Sequence, residues 1–172
     1  MGYRSPLVSE VIELHYHVRM DYQAILPAPF AKLGIRCTDE ALLGIEFLPV
    51  NTRALLPRNA LAKKVCTQLE AYLADADFHF DLPLALTGTE HQRKVWRSMR
   101  AIPRGTTRTY GKLAAQLDSC ARAVGQACGN NPIPIVIPCH RVVGKSGLGG
   151  FMKHAEGESL DIKRWLLAHE QF

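Results

Sequence analysis

Residues 109–128 read Thr-Tyr-Gly-Lys-Leu-Ala-Ala-Gln-Leu-Asp-Ser-Cys-Ala-Arg-Ala-Val-Gly-Gln-Ala-Cys. The stretch predicts two short helices. The first covers about 110–117, with Leu113 and Leu117 on one side and Thr109 as its cap. Asp118-Ser119 makes a tight turn, and Ser119 is placed to cap a second helix over about 120–128, so the pair has the form of a helix-turn-helix. The second helix is built mostly of small residues, and Gly125 costs it roughly 1 kcal/mol of propensity relative to Ala. It is slim, so its backbone can approach another surface. Val124, Ala127 and Cys128 can face a core, while Arg122 and Gln126, four apart, share a polar face. Two packed core helices with a solvated Arg122 fit the same pattern. Such a helix usually reads a major groove. Small residues also leave room for a minor-groove approach, with Arg122 wedged into the base stack.

Downstream, 131–141 read Asn-Pro-Ile-Pro-Ile-Val-Ile-Pro-Cys-His-Arg. Pro132, Pro134 and Pro138 stiffen the backbone and remove amide donors, so the segment suits no regular ladder. It holds Cys139 in a fixed, buried position. A free thiol has a pKa of about 8.5 and needs a partner base to be a thiolate at neutral pH. His140 is adjacent, but neighbours in an extended strand point to opposite faces. The two meet only if the chain turns at Pro138-Cys139-His140; otherwise both are structural. Further on, Ile162, Trp165, Leu166 and His169 have the spacing of a buried helical face. Glu170 falls near that face. It is either a buried carboxylate in need of a donor such as a histidine N–H, or part of a frayed, solvated end.

Upstream, Thr89 and Gln92 have capping-box spacing at the start of a helix whose apolar face is Val95, Trp96, Met99 and Ile102, ended by Pro103 and Gly105. Residues 83–88 read as a linker. Before it, 33–37 and 44–48 predict a hairpin turned at Thr38-Asp39-Glu40. Leu61, Val65, Leu69 and Tyr72 predict a helix within 58–74, and 78–82 one more strand. Residues 14–20 alternate as a half-buried strand with His15 and His17 on one face. They suit a wet sheet face better than a metal site, since no cysteine or carboxylate is clearly placed to complete one, and no metal is expected. The first half thus reads as a small antiparallel sheet with a helix packed on it.

The chain has 172 residues, 47% of them apolar and 22% charged, with a net charge of +5. That balance suits a folded protein and favours a polyanionic partner. Cys37, Cys66, Cys120, Cys128 and Cys139 are odd in number and form no Cys-x-x-Cys pair, which argues against a disulfide framework and for a reducing cytoplasm. No export signal and no bilayer-spanning run are expected.

Taken together, Pro-Cys-His-Arg at 138–141 with Val142-Val143, Asn131-Pro132-Ile133-Pro134, Ala121-Arg122-Ala123-Val124-Gly125, Tyr110 before Leu113-Ala114-Ala115, and Trp165-Leu166-Leu167-Ala168-His169-Glu170 resemble the O6-alkylguanine-DNA alkyltransferases. The likeness covers about 86–172, and more faintly the first half. It implies a two-domain α/β protein. Residues 1–86 would be an RNase H-like domain with a small antiparallel sheet and a helix. Residues 87–172 would be a mostly helical, winged-helix-like domain that binds DNA and accepts the alkyl group.

The resemblance also implies roles. Cys139 is the nucleophile, deprotonated through a water by His140, which Glu170 orients. Tyr110 donates to the leaving base, Asn131 braces the Cys loop, and Arg122 fills the place of the flipped nucleotide. Ala121, Gly125, Gln126, Arg141 and Tyr110 join Arg122 at the DNA. Val142, Phe151, Met152, Lys153 and Pro134 line the base pocket. Transfer would be irreversible and single-turnover, without cofactor, by a monomer acting from the minor groove of duplex DNA carrying O6-alkylguanine. The chain departs from the family pattern at Phe151-Met152-Lys153, where an aromatic residue with a hydroxyl is usually followed by small residues. His91 also stands where an aromatic residue is common. The rival readings are a lesion sensor, which would lack the acceptor cysteine; a helix-turn-helix regulator, which leaves Pro138-Cys139-His140-Arg141 without purpose; and a Cys-His hydrolase, which needs an oxyanion hole.

Overall fold

The computed structural model describes residues 22–154 and 157–171; the alternating segment 14–20, with His15 and His17, lies outside them. Three strands, β1 (Ala24–Pro27), β2 (Lys32–Cys37) and β3 (Leu42–Leu48), form an antiparallel sheet in that order. The β2–β3 hairpin follows the sequence expectation, in a register that opposes Ile35 to Ile45 and Leu33 to Phe47. The Thr38 hydroxyl makes the turn by accepting from the amides of Glu40 and Ala41. Strand β1 was not anticipated: it has four residues and ends in Pro27, too short for alternation to register.

Helix α1 (Ala60–Ala74) packs on β1 and β2. Asn59 caps it, its Oδ1 accepting from the Ala62 amide at 2.7 Å, and Leu61, Val65, Leu69 and Tyr72 are buried as their spacing predicts. Residues 78–82 form no strand. Gln68 on α1 takes both backbone groups of Asp81, accepting its amide at 2.8 Å and donating to its carbonyl at 3.0 Å. Phe78 and Phe80 pack edge to face, and Phe80 lies against Tyr72. Backbone groups already satisfied by a side chain do not recruit a ladder. The free edge of β3 is covered instead: Leu42 exchanges hydrogen bonds with Pro83 and Ala85, and the Ile45 amide donates to the Pro132 carbonyl at 2.9 Å.

Helix α2 (Glu90–Arg100) begins with the expected capping box of Thr89 and Gln92. Helices α3 (Tyr110–Gln116) and α4 (Ala121–Gly129) are the predicted pair, with the Thr109 hydroxyl capping α3 and Asp118 at a φ of 48° in the turn between them. Ser119 does not cap α4. Cys120 holds the cap position without a side-chain bond, and Ser119 Oγ hydrogen-bonds His91 Nε2 at 2.9 Å. The polar ring at position 91 draws the hydroxyl away. Trp96 Nε1 ties α2 to α4 by donating to the Ala127 carbonyl at 2.9 Å.

The proline-rich run stays irregular and ends in a 3-10 turn, Cys139–Arg141. Beyond it, β4 (Arg108–Thr109) pairs in parallel with β5 (Val142–Val143), and α5 (Glu158–His169) closes the described chain. The molecule is α/β, with five α-helices among the described residues. One buried core joins the halves, with Leu33, Ile35 and Val65 from the first and Trp96, Val124, Ile137 and Leu166 from the second. Each such side chain contributes about 1.5–3 kcal/mol relative to exposure. No helix among the described residues is long and apolar enough to cross a membrane.

Candidate active site

Three local devices set the Cys139 sulfur in place. The 3-10 turn takes Cys139 and His140 out of the strand geometry that would point them apart. Asn131 braces the loop from beneath: its Nδ2 donates to the Ile137 carbonyl at 2.8 Å and its Oδ1 accepts from the Ile133 amide at 3.0 Å. The surrounding core leaves Cys139 3% exposed and His140 fully buried. Burial pushes the Cys139 pKa up to about 11, against the opposing pull of Asn131, Lys163 and nearby amides. The sulfur therefore rests as a thiol.

His140 Nε2 lies 2.8 Å from Glu170 Oε1. Burial alone would raise the Glu170 pKa, but the bonds and charges of His140 and Arg141 outweigh it and hold the carboxyl well below the usual carboxylate range. An ionised carboxylate only accepts, so the imidazole proton sits on Nε2. Burial keeps the His140 pKa below its ordinary value in spite of Glu170. The ring is neutral, and Nδ1 carries a lone pair. That nitrogen is buried and has no hydrogen-bond partner among the described residues, so its lone pair is available as a base.

The end of the C-terminal helix is folded in rather than frayed, with Glu170 2% exposed. Arg141 donates from Nε to Oε2 at 2.8 Å and from Nη2 to Oε1 at 2.9 Å, and its Nη1 holds the Ile102 carbonyl. This corrects the expectation that Arg141 stands with Arg122 at a DNA face. A carboxylate fork buried behind the thiol holds its planar guanidinium instead.

In front of Cys139 opens a cleft of about 480 Å³, lined by Tyr110, Ala121, Arg122, Gly125, Cys128, Phe151, Met152 and Lys153 among others. Its size suits a small planar ligand. Ala121, Arg122 and Gln126 are exposed, but only the first two line the cleft. Val142 and Pro134 are buried and do not line it. Both backbone groups of Val142 are engaged inside, the amide on the Cys139 carbonyl and the carbonyl on Lys163 Nζ. Burial drives the Tyr110 pKa strongly up, and its hydroxyl donates to the Gly150 carbonyl at 3.1 Å. Gly149, at a φ of 67°, passes so close that a Cβ there would meet the Tyr110 ring at 2.7 Å.

The outer wall is a small hairpin. Phe151 and His154 exchange backbone bonds of 2.7 and 2.9 Å. Between them Met152 and Lys153 have φ values of 49° and 70°. Two central residues at positive φ are the mark of a type I′ turn, which favours Asn and Gly. A non-glycine residue is held there at a cost of roughly 1–2 kcal/mol. This is why small residues suit the segment, and what the departure at Met152-Lys153 entails.

Two side chains joined to the site give no signal in the sequence. Lys163 is fully buried, and its Nζ donates to the carbonyls of Val142, Leu148 and Gly150 at 2.7, 2.7 and 2.9 Å. Burial lowers its pKa to about 8, against the pull of the two nearby thiols. Its three donors match three acceptors only when charged. Next to Ile162 it sat on the edge of the apolar face, where a lysine ordinarily snorkels outward. The spacing of Tyr72 places it on the apolar face of α1, yet its hydroxyl donates to Glu170 Oε1 at 2.8 Å across 98 residues of chain. No local pattern signals such a partner. Among the described residues, no group of three or more His, Cys, Asp and Glu side chains could hold a metal ion.

The family model described as 6-O-methylguanine DNA methyltransferase, DNA binding domain, matches residues 90–172. A methylated-DNA–protein-cysteine methyltransferase of Mycolicibacterium paratuberculosis is 51% identical over 107 residues, covering 60% of this chain and 62% of its own. One of Methanosarcina acetivorans is 37% identical over 157 residues, covering 87% and 97%. The crystal structure of Mycobacterium tuberculosis OGT in complex with DNA superposes with a TM-score of 0.72 at 36% identity, covering 86% of this chain and 91% of that one.

Proposed function

From the premise that the chain belongs to the methylated-DNA–protein-cysteine methyltransferase family, we propose that it repairs duplex DNA by taking the alkyl group of O6-alkylguanine onto Cys139. The observation that carries the proposal is the place of that sulfur: at the back of a base-sized cleft, next in the chain to a neutral histidine whose Nδ1 has no hydrogen-bond partner among the described residues.

His140 Nδ1 takes the thiol proton through a water, and Glu170 stabilises the imidazolium that results. The thiolate attacks the alkyl carbon, so the S–C bond forms as the C–O6 bond breaks. Guanine leaves with negative charge on the ring. Tyr110, whose proton is held firmly by burial, turns its hydroxyl from Gly150 to the base and donates a hydrogen bond to that charge. The thioether C–S bond has no easy reversal, and among the described residues that line the cleft no group regenerates the thiol, so one chain accepts one alkyl group.

A base inside the stack is out of reach of the sulfur, so the nucleotide must be flipped into the cleft. Arg122, exposed at the start of α4, fills the space it leaves, approaching by the minor groove; Ala121, Gly125 and Gln126 lie against the backbone. Asn131 acts by bracing the loop. The first half is RNase H-like and the second winged-helix-like, with a boundary near 86, and the protein acts as a cytoplasmic monomer.

The test is intact mass after incubation with a duplex carrying one O6-methylguanine. One methyl increment per chain is expected, none with Cys139→Ala, and that variant should still bind DNA. Transfer that survives Cys139→Ala overturns the mechanism; binding without any increment in the wild type makes the protein a sensor or regulator. Arg122→Ala should slow transfer from duplex far more than from a free O6-alkylguanine base, and equal losses would refute the wedge.

A further inference from the structure

Glu170 receives one donor from outside the reactive half of the chain. Tyr72, near the end of α1, gives its hydroxyl to the same oxygen, Oε1, that holds His140 Nε2. The side chain is locked in position. It is 1% exposed, its ring meets His169 edge to face at 5.3 Å and Phe80 at 5.4 Å, and His169 Nε2 donates to its carbonyl at 2.7 Å.

We propose that Tyr72 is a positioning residue of the transfer: its hydroxyl fixes the Glu170 carboxylate against His140 and moderates its pull on the imidazole, so the first half of the chain tunes the base that deprotonates Cys139. The inference rests on the reading of Cys139 as alkyl acceptor. Oε1 serves three donors, His140 Nε2, Arg141 Nη2 and Tyr72, whereas Oε2 serves Arg141 Nε. An oxygen shared among three donors binds each less strongly than one shared between two. Without the phenol, the carboxylate attracts an imidazolium more, and its plane can rock about the Arg141 fork.

The sign of the pH effect follows. His140 is faced by Glu170, by Arg141 on its own turn, by Lys163 from α5 and by the neighbouring Cys139 thiol. Glu170 is faced by His140, Arg141 and Tyr72, with Arg104 Nη1 on its backbone carbonyl. Burial, then Glu170, drives the Tyr72 pKa far up, so it donates throughout the working range. Only this donor changes in Tyr72→Phe. The His140 pKa then rises, and since neutral His140 is the base, the acid limb of the rate moves to higher pH.

The experiment measures the single-turnover rate of methyl transfer from duplex O6-methylguanine across pH, by quenching and intact mass. For Tyr72→Phe the rate at neutral pH should fall roughly tenfold, and the midpoint of the acid limb should rise by about half a pH unit or more. An unchanged midpoint overturns the proposal, whether or not the rate falls, because lost packing alone lowers the active fraction without moving it. Replacing Tyr72 with 3-fluorotyrosine keeps the ring and strengthens the donor; it should move the midpoint down, and no movement overturns the proposal even where Tyr72→Phe fails to fold. A wild type that takes no methyl removes the function itself, a result distinct from wild type and variants that transfer alike.

Discussion

Behind the Cys139 sulfur, Glu170 is held by His140, Tyr72 and a two-pronged Arg141, every group buried or nearly so. In front of it, two backbone bonds carry a turn in which Met152 and Lys153 sit at positive φ. The two regions flank one cleft and are built by opposite means. A proton relay works only if its donors and acceptors keep a fixed geometry, so redundancy behind the thiol serves the chemistry. A wall that only bounds a cleft needs no such fixed bonds and has only to stand. Lys163 joins the two, since one ammonium holds the Val142 carbonyl behind and the Leu148 and Gly150 carbonyls at the foot of the turn.

The sharpest way to break the comparison is Glu170→Gln. The amide nitrogen turns a donor toward donors and leaves the Arg141 charge half paired, a loss of about 3–5 kcal/mol, with methyl transfer down by about a hundredfold or more. A pH series separates the relay from general damage. The Glu170 pKa lies far below its ordinary 4.5, so the unfolded chain binds the extra proton first. The stability Glu170 contributes is whole above about pH 5 and fades as pH falls. Melting temperatures should therefore drop in acid more steeply for wild type than for Glu170→Gln. Parallel curves would show that the redundancy behind the thiol is not electrostatic.

Lys163→Met should have the next largest effect. Leaving three buried carbonyls short of a donor costs about 2–3 kcal/mol. Hydrogen exchange should quicken more at 148–151 than at 139–141. Equal changes would deny Lys163 its role as the link between the regions. The smallest effect belongs to the turn. Lys153→Gly removes a side chain from positive φ and should stabilise by about 1 kcal/mol, or roughly 2–4 °C in Tm. A fall in Tm would mean that the Lys153 stem, packed over Gly129, matters more than the strain.

The same contrast explains what could be read in advance. Helices and the β2–β3 hairpin declared themselves through spacing and caps, as at Thr89-Gln92 and Thr109, because those signals are local. Cys139, His140, Arg122 and Tyr110 stood out as an ordered set. Arg141 was misread because its type suits a phosphate as well as it suits a carboxylate; only burial distinguishes the two. The hydroxyl of Tyr72 and the ammonium of Lys163 find partners by tertiary packing, which no periodicity announces. The stretch 78–82 alternates like a strand, but Gln68 takes both backbone groups of Asp81 within it.

The depth of Cys139 bears on how long the unused protein lasts. Peroxides and small electrophiles consume cysteines that are exposed and ionised, and this one is 3% exposed with its pKa pushed up to about 11. A reagent that can be used once has a shelf life. Here the same burial that keeps the sulfur a thiol keeps it from being lost to chance encounters before damage arrives.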